Sequence, residues 1–132
     1  MAVHGLNQWN GVAVASRLAI TDVRDHFPHQ PSFGEPATVE ARALGVTVDV
    51  TGVLEAREGS PSSLTIWSLY VPNGRELDNP HYAYKLNWLA TLAEQGRTWL
   101  SDSQALIALV GDWNVAPHDE DVWDMSVFEG ST

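Results

Sequence analysis

A chain of 132 residues, 44% of them hydrophobic, with a net charge of −10, fits one compact domain and is too apolar for global disorder. It has no cysteine, which excludes disulfides, thiolate metal sites and a cysteine nucleophile. The acidic balance counts against nucleic-acid binding through a broad basic surface.

The first residues, Met1-Ala2-Val3-His4-Gly5, carry neither a basic segment nor an apolar signal core, so the cytoplasm is the expected compartment. No apolar run approaches the roughly 20 residues that span a bilayer, so no membrane partner is expected. The six tryptophans are expected to be mostly half-buried, each indole N–H with a partner. The acidity has two readings: a solubilising surface, or carboxylates gathered around a divalent cation that reverses the local field.

Along the chain, Asn7-Gln8-Trp9-Asn10 reads as a polar turn and Gly11 to Ser16 as a buried strand. Residues 25–37, with Pro28, Pro31, Pro36, Ser32 and Gly34 around His26 and His29, read as a loop. Leu44, Val46, Val48 and Val50 alternate with Gly45, Thr47, Asp49 and Thr51, the pattern of a strand with one wet face. Glu55 to Ser63 is a polar connection. Leu64 to Tyr70 is a second strand, antiparallel to the first, and Val71-Pro72-Asn73-Gly74 ends it with turn chemistry.

A helix follows, with Asn79 as N-cap and Pro80 at the first helical position. Tyr82, Leu86, Leu89 and Ala93 form one apolar stripe, and Gly96 weakens the later part. Leu106 to Val110 reads as a central strand buried on both faces that closes in Gly111-Asp112. Pro117 to Asp121 is an acidic loop and Val122 to Phe128 a short helical turn. Strands, a crossover helix and another strand make an α/β layered domain, part of whose sheet is parallel.

The strongest chemical signal is Gly111-Asp112-Trp113-Asn114, directly after the buried strand, where ligands of α/β proteins tend to sit. Asp112 and Asn114 project to one side if the chain stays extended. A carboxylate can take a proton from water, and an amide can donate to a charged oxygen. A plain Asp/Asn turn is the alternative. Tyr70, at a strand end beside a Pro-Asn-Gly turn, offers a phenol to a phosphate or simply anchors the turn. His26 and His29 are separated by Phe27-Pro28, which breaks helical ligand geometry, and read as solvated; His4, His81 and His118 have no site context. Asp119, Glu120 and Asp121 could hold calcium loosely or form a solvated acidic loop. Neither a glycine-rich phosphate loop nor a Ser–His–Asp context is present.

Four segments, in order and spacing, together resemble the exodeoxyribonuclease III / AP endonuclease branch of the endonuclease/exonuclease/phosphatase superfamily. Gln8-Trp9-Asn10-Gly11-Val12-Ala13 is similar to that branch's aromatic-x-Gly-Val-Ala strand start. Trp67-Ser68-Leu69-Tyr70-Val71-Pro72-Asn73-Gly74 is similar to its Tyr-x-Pro-Asn/Gln-Gly turn. Tyr84-Lys85-Leu86-Asn87-Trp88-Leu89 is similar to its Lys-x-x-aromatic helix. Leu109-Val110-Gly111-Asp112-Trp113-Asn114-Val115-Ala116-Pro117 is similar to its Gly-Asp-x-Asn-hydrophobic-x-Pro signature.

The resemblance implies a DNase I-like α/β sandwich, two mixed β-sheets face to face with helices outside. It also implies a Mg2+-dependent hydrolase (Mn2+ being an alternative) acting on double-stranded DNA at abasic sites and 3′ ends. Asp112 would orient or deprotonate water, Asn114 would bind phosphoryl oxygens, Tyr70 would steady the phosphate, and Asp112 with Asn114 would face the metal. The family's first-strand asparagine, its metal-binding glutamate and its C-terminal aspartate and Asp-His pair have no counterpart here, and no role passes to Glu35, Glu40 or His118. Residues 1–132 are therefore expected to be one partial domain, incomplete at both ends. Such a chain is expected to be unstable or associating, and weak as a nuclease alone. A phosphatase of lipid or sugar phosphates, and a non-catalytic module that folds with a partner, remain the alternatives.

Overall fold

The computed structural model describes residues 1–6, 8–53 and 60–130. Asn7 of the expected first turn and residues 54–59 of the expected connection lie outside the described residues. Among the described residues the chain forms strands β1 (Ala2–Gly5), β2 (Gly11–Val14), β3 (Ile20–Arg24), β4 (Ala43–Asp49), β5 (Ser63–Tyr70) and β6 (Ile107–Asp112). Helix α1 (Pro80–Trp99) joins β5 to β6, and a short α2 (Met125–Phe128) follows a single 3-10 turn at Asp119–Asp121.

The four-stranded sheet has the order β3-β4-β5-β6. Its first two pairings are antiparallel and β5–β6 is parallel, as a helical crossover requires. β1 and β2 make a separate antiparallel hairpin. Val12 and Val14 of this hairpin pack on Leu44, Val46 and Val48, covering one face of the sheet. On the other face Trp67, Leu69 and Val71 meet Tyr84, Trp88 and Leu92 of α1, with Phe27 of the long loop closing the cluster. The order is therefore hairpin, sheet, helix, and successive side chains of β5 face alternate layers.

Several expectations are corrected. The Gly11 strand is buried on one face only, since its other face looks away from the sheet. β4 is covered on both faces over most of its length, and only Asp49 at its end is wet. The reason is local: a Cβ on Gly45 would lie 2.8 Å from the Trp67 ring, so the smallest side chain leaves room for the largest. α1 buries Tyr84, Lys85, Trp88 and Leu92 rather than the Tyr82–Leu86–Leu89–Ala93 stripe, and Leu86 is 49% exposed. Both stripes have helical spacing; the aromatic one excludes more area from water. The helix runs through Gly96 to Trp99, started by Asn79, whose side chain accepts from the His81 N–H at 3.0 Å.

β6 is not a central strand. It is the sheet's edge, half-buried at Ile107 and Leu109 and exposed from Val110 onward. The tryptophans split as well: Trp67 and Trp88 are enclosed, while Trp9 and Trp123 are 75% and 78% exposed. Among the described residues the enclosed Trp88 indole N–H has no hydrogen-bond partner; its ring packs edge-to-face on Phe27 at 5.0 Å.

Candidate active site

The site grows from the parallel pairing of β5 and β6. In that register Tyr70 is the partner of Asp112, so both stand at the C-terminal ends of adjoining strands. Tyr70 packs on the hairpin side of the sheet, between the helix-facing Leu69 and Val71. Ile107 and Leu109 of β6 pack toward the helix, and beyond them Gly111 departs from regular strand geometry. Asp112 and Asn114 line one shallow hollow and Tyr70 lines the neighbouring one, with Asn73 common to both. Tyr70 is half-buried and Asp112 is exposed, so the pair is anchored yet open to solvent.

Gly111 makes this arrangement possible. Its φ of +130° belongs to glycine, and a Cβ there would lie 2.0 Å from the Leu69 carbonyl oxygen. The strands thus approach so closely that any side chain would push Asp112 away from Tyr70.

Asn114 reaches the site by a different route from the one expected. The chain is not extended after Asp112: Asn114 has φ +48°, a left-handed conformation that asparagine tolerates. Its backbone N–H donates to Asp112 Oδ1 at 2.9 Å, closing an Asx turn. Its side-chain Nδ2 donates to the Val71 carbonyl at 2.7 Å, which ties the β6 turn to the β5 turn. Asn73 Nδ2 sits 3.5 Å from Asn114 Oδ1, and Asn73 Oδ1 accepts the Arg75 N–H at 2.8 Å. From below, the buried Lys85 ammonium donates to the Asn114 carbonyl at 2.7 Å. Burial pulls the Lys85 pKa below its ordinary value. The structure therefore brings Tyr70, Asp112 and Asn114 to one end of the sheet, with Asn114 held in a turn rather than projecting in strand register with Asp112.

Sequence reasoning missed a second group beside Tyr70. Arg42 is buried and paired to Glu40, Nε to Oε2 at 2.6 Å. Asn10 donates to the other Glu40 oxygen at 2.7 Å. Burial pushes the Glu40 carboxyl up, but the hydrogen bond and charge of Arg42 with the Asn10 amide outweigh it and hold the group below its ordinary value. Tyr84 lies beside the pair. Burial first, and then the Glu40 charge, drive its phenol well above the usual range. Burial and the Arg75 charge lower His81, whose ring lies 4.3 Å from Phe33. The available signal was Glu-x-Arg just before an alternating strand, a spacing that puts both side chains on one face.

The metal expectation meets only part of its requirement. Asp112 and Asn114 supply hard oxygens, but among the described residues no three His, Asp or Glu side chains gather as a metal cage. Nor does any helix among the described residues have the length and apolarity to cross a membrane.

Comparisons with known proteins place the fold. The profile of the endonuclease/exonuclease/phosphatase family matches residues 3–132. No curated protein is significantly similar to the chain. Among solved structures, a 3′-5′ exonuclease, NExo, from Neisseria meningitidis is 28% identical with a TM-score of 0.74. The 3′ phosphatase NExo from Neisseria, bound to product DNA hairpin, is 26% identical with a TM-score of 0.74. Each match covers 98% of this chain and 43% of the solved chain, so the chain spans less than half the length of the structures it matches. The fold is thus the expected DNase I-like α/β sandwich over part of its extent.

Proposed function

Since the chain belongs to the endonuclease/exonuclease/phosphatase family, we propose that it carries part of a hydrolytic site for phosphate esters of DNA, acting at 3′ ends. The observation that carries this is the register pairing of Tyr70 with Asp112 at the open ends of parallel strands. In the reaction, water attacks phosphorus and the bond to the DNA 3′ oxygen breaks. Asp112 orients the water and takes its proton. Tyr70 donates to a phosphoryl oxygen. An amide nitrogen carries two hydrogens, and the Asn114 hydrogen not given to Val71 serves the phosphoryl group as charge builds.

Asp112, whose Oδ1 holds the Asn114 turn, offers its other oxygen to a divalent cation, with Asn114 beside it. Magnesium, or manganese, would polarise the phosphate and lower the pKa of bound water, and it keeps several waters of its own. Further ligands are needed beyond those described, so full activity is expected only where they are supplied. Cleavage at abasic sites, the finer specificity of the exodeoxyribonuclease III branch, belongs to the same proposal. A phosphatase reading within the family is favoured by the likeness to a 3′ phosphatase. Dependence on a partner is favoured by the exposed β6 edge, which no strand among the described residues pairs, next to the site.

The test is turnover with magnesium of three substrates: a 3′-phosphorylated DNA hairpin, an abasic-site duplex and a small phosphate ester. Release of phosphate from the hairpin, lost in Asp112→Asn, supports the proposal. Preference for the small ester, or activity unchanged by Asp112→Asn, overturns it.

A further inference from the structure

Arg42 is fastened in three ways that converge on Tyr70. Its backbone carbonyl accepts the Tyr70 N–H at 2.8 Å. Its Nη1 reaches the Tyr70 carbonyl at 3.4 Å. Its guanidinium carbon stands 4.9 Å from the centre of the Tyr70 ring. The Glu40 carboxylate holds the guanidinium from behind, and Asn10, at the base of β2, holds Glu40 in turn. The chain of contacts runs from the hairpin to the phenol.

A buried ion pair is a weak device for stability, because desolvation offsets most of its Coulomb energy. What it supplies is a fixed cation. The planar guanidinium fits an aromatic face, which a lysine ammonium does not reproduce. Tyr70 also packs against the apolar cluster that the hairpin shares with β4. A ring held by a cation and by that cluster keeps its hydroxyl on one bearing, so a phosphate meets a donor that needs no reorganisation.

We infer that Arg42 is a positioning residue for the phosphate-binding phenol of Tyr70, held in place by Glu40 and Asn10. The inference rests on the phosphate-ester reading of the site, which it deepens.

The test is a double-mutant cycle on the full chain, reading Kd for a 3′-phosphorylated DNA hairpin by titration in the wild type, Arg42→Met, Tyr70→Phe and the double variant. Arg42→Met is expected to weaken binding by roughly fivefold to thirtyfold when Tyr70 is present. In the Tyr70→Phe background the same change is expected to cost less than about twofold. Arg42→Lys should not restore affinity. Equal losses in both backgrounds, or full rescue by lysine, overturn the inference. The Tyr70 side-chain rotamer, read by NMR couplings, decides the matter without any ligand. One rotamer in the wild type and averaging in Arg42→Met support positioning; an unchanged rotamer overturns it. If the wild type binds no hairpin but its Tyr70 rotamer depends on Arg42, the phosphate-ester reading fails while the positioning role stands. Should Arg42→Met not fold, Glu40→Gln, which loosens the guanidinium while keeping its shape, replaces it in both measurements with the same expectations.

Discussion

β5 and β6 lie side by side in one sheet and have fates opposite to their sequences, since β6 is the more continuously apolar of the two. β5 is interior: Trp67 and Leu69 press into the helix layer while Ile66 and Tyr70 meet the hairpin. β6 has β5 on one side, no neighbouring strand on the other among the described residues, and solvent over its last residues. The candidate residues lie on the seam between them. β5 holds Tyr70 half-buried and β6 leaves Asp112 exposed. Under the proposed function the first strand supplies rigidity and the second supplies access.

The contrast can be broken first at its rigid side. Trp88→Ala removes a fully enclosed ring from beneath β5 and is expected to cost about 3–5 kcal/mol of stability, read by chemical denaturation. Val110→Ser on β6 is 46% exposed and should change stability by less than about 0.5 kcal/mol. Comparable losses from the two would show that β6 is buried in solution, by a second chain or otherwise.

Gly111→Ala attacks the seam itself. With a Cβ 2.0 Å from the Leu69 oxygen and a backbone at φ +130°, it is expected to cost about 2–4 kcal/mol. It should also abolish any turnover that depends on Asp112 and Tyr70 acting together. A variant as stable as the wild type would mean that the strands do not approach this closely.

The smallest expected effect is on pH. Glu40 is held below its ordinary 4.5, so its contribution is present above that pH and is lost as pH falls through the lower, folded value. His81 is held below 6.5; as pH falls past that point the unfolded chain takes up a proton that the folded chain resists, which also destabilises the fold. The melting temperature should therefore decline from neutral pH into acid in two stages. Glu40→Gln should flatten the decline below pH 4.5 and leave the earlier one. A melting temperature that rises on acidification would reverse both assignments.

The sequence made some of this legible and not the rest, for identifiable reasons. The presence of β4 and β5, their antiparallel pairing and the Asn79-Pro80 helix start were readable because strand composition and capping are local properties, although the wet face expected of β4 was not there. β1 and β3 were not, since Ala-Val-His-Gly and Ile-Thr-Asp-Val-Arg are too short and mixed to show a period. The edge position of β6 was invisible because a continuous apolar run does not say what will cover it. α1 carries two overlapping stripes of the same period, and only packing against Trp67 and Phe27 selects the one through Tyr84 and Trp88. At the site, Gly111-Asp112 and Tyr70 announced themselves as a turn and a strand end. The turn at Asn114 was legible only as the alternative to an extended projection: Asp112 closes it locally, but Val71 and Lys85, which also hold it, are distant in sequence. The Glu40–Arg42 pair was passed over for the same cause: its meaning lies in Tyr70, a neighbour across the sheet.

The central claim is that Tyr70, Asp112 and Asn114 meet at one phosphate-sized place on the seam. Backbone NMR of the full chain, titrated with a 3′-phosphorylated DNA hairpin and with the same hairpin lacking the phosphate, tests it most directly. The account predicts phosphate-dependent shifts concentrated at these residues and at Asn73 between them. Shifts confined to the opposite end of the sheet, around Ser62 and Gln104, or identical responses to the two hairpins, would contradict it.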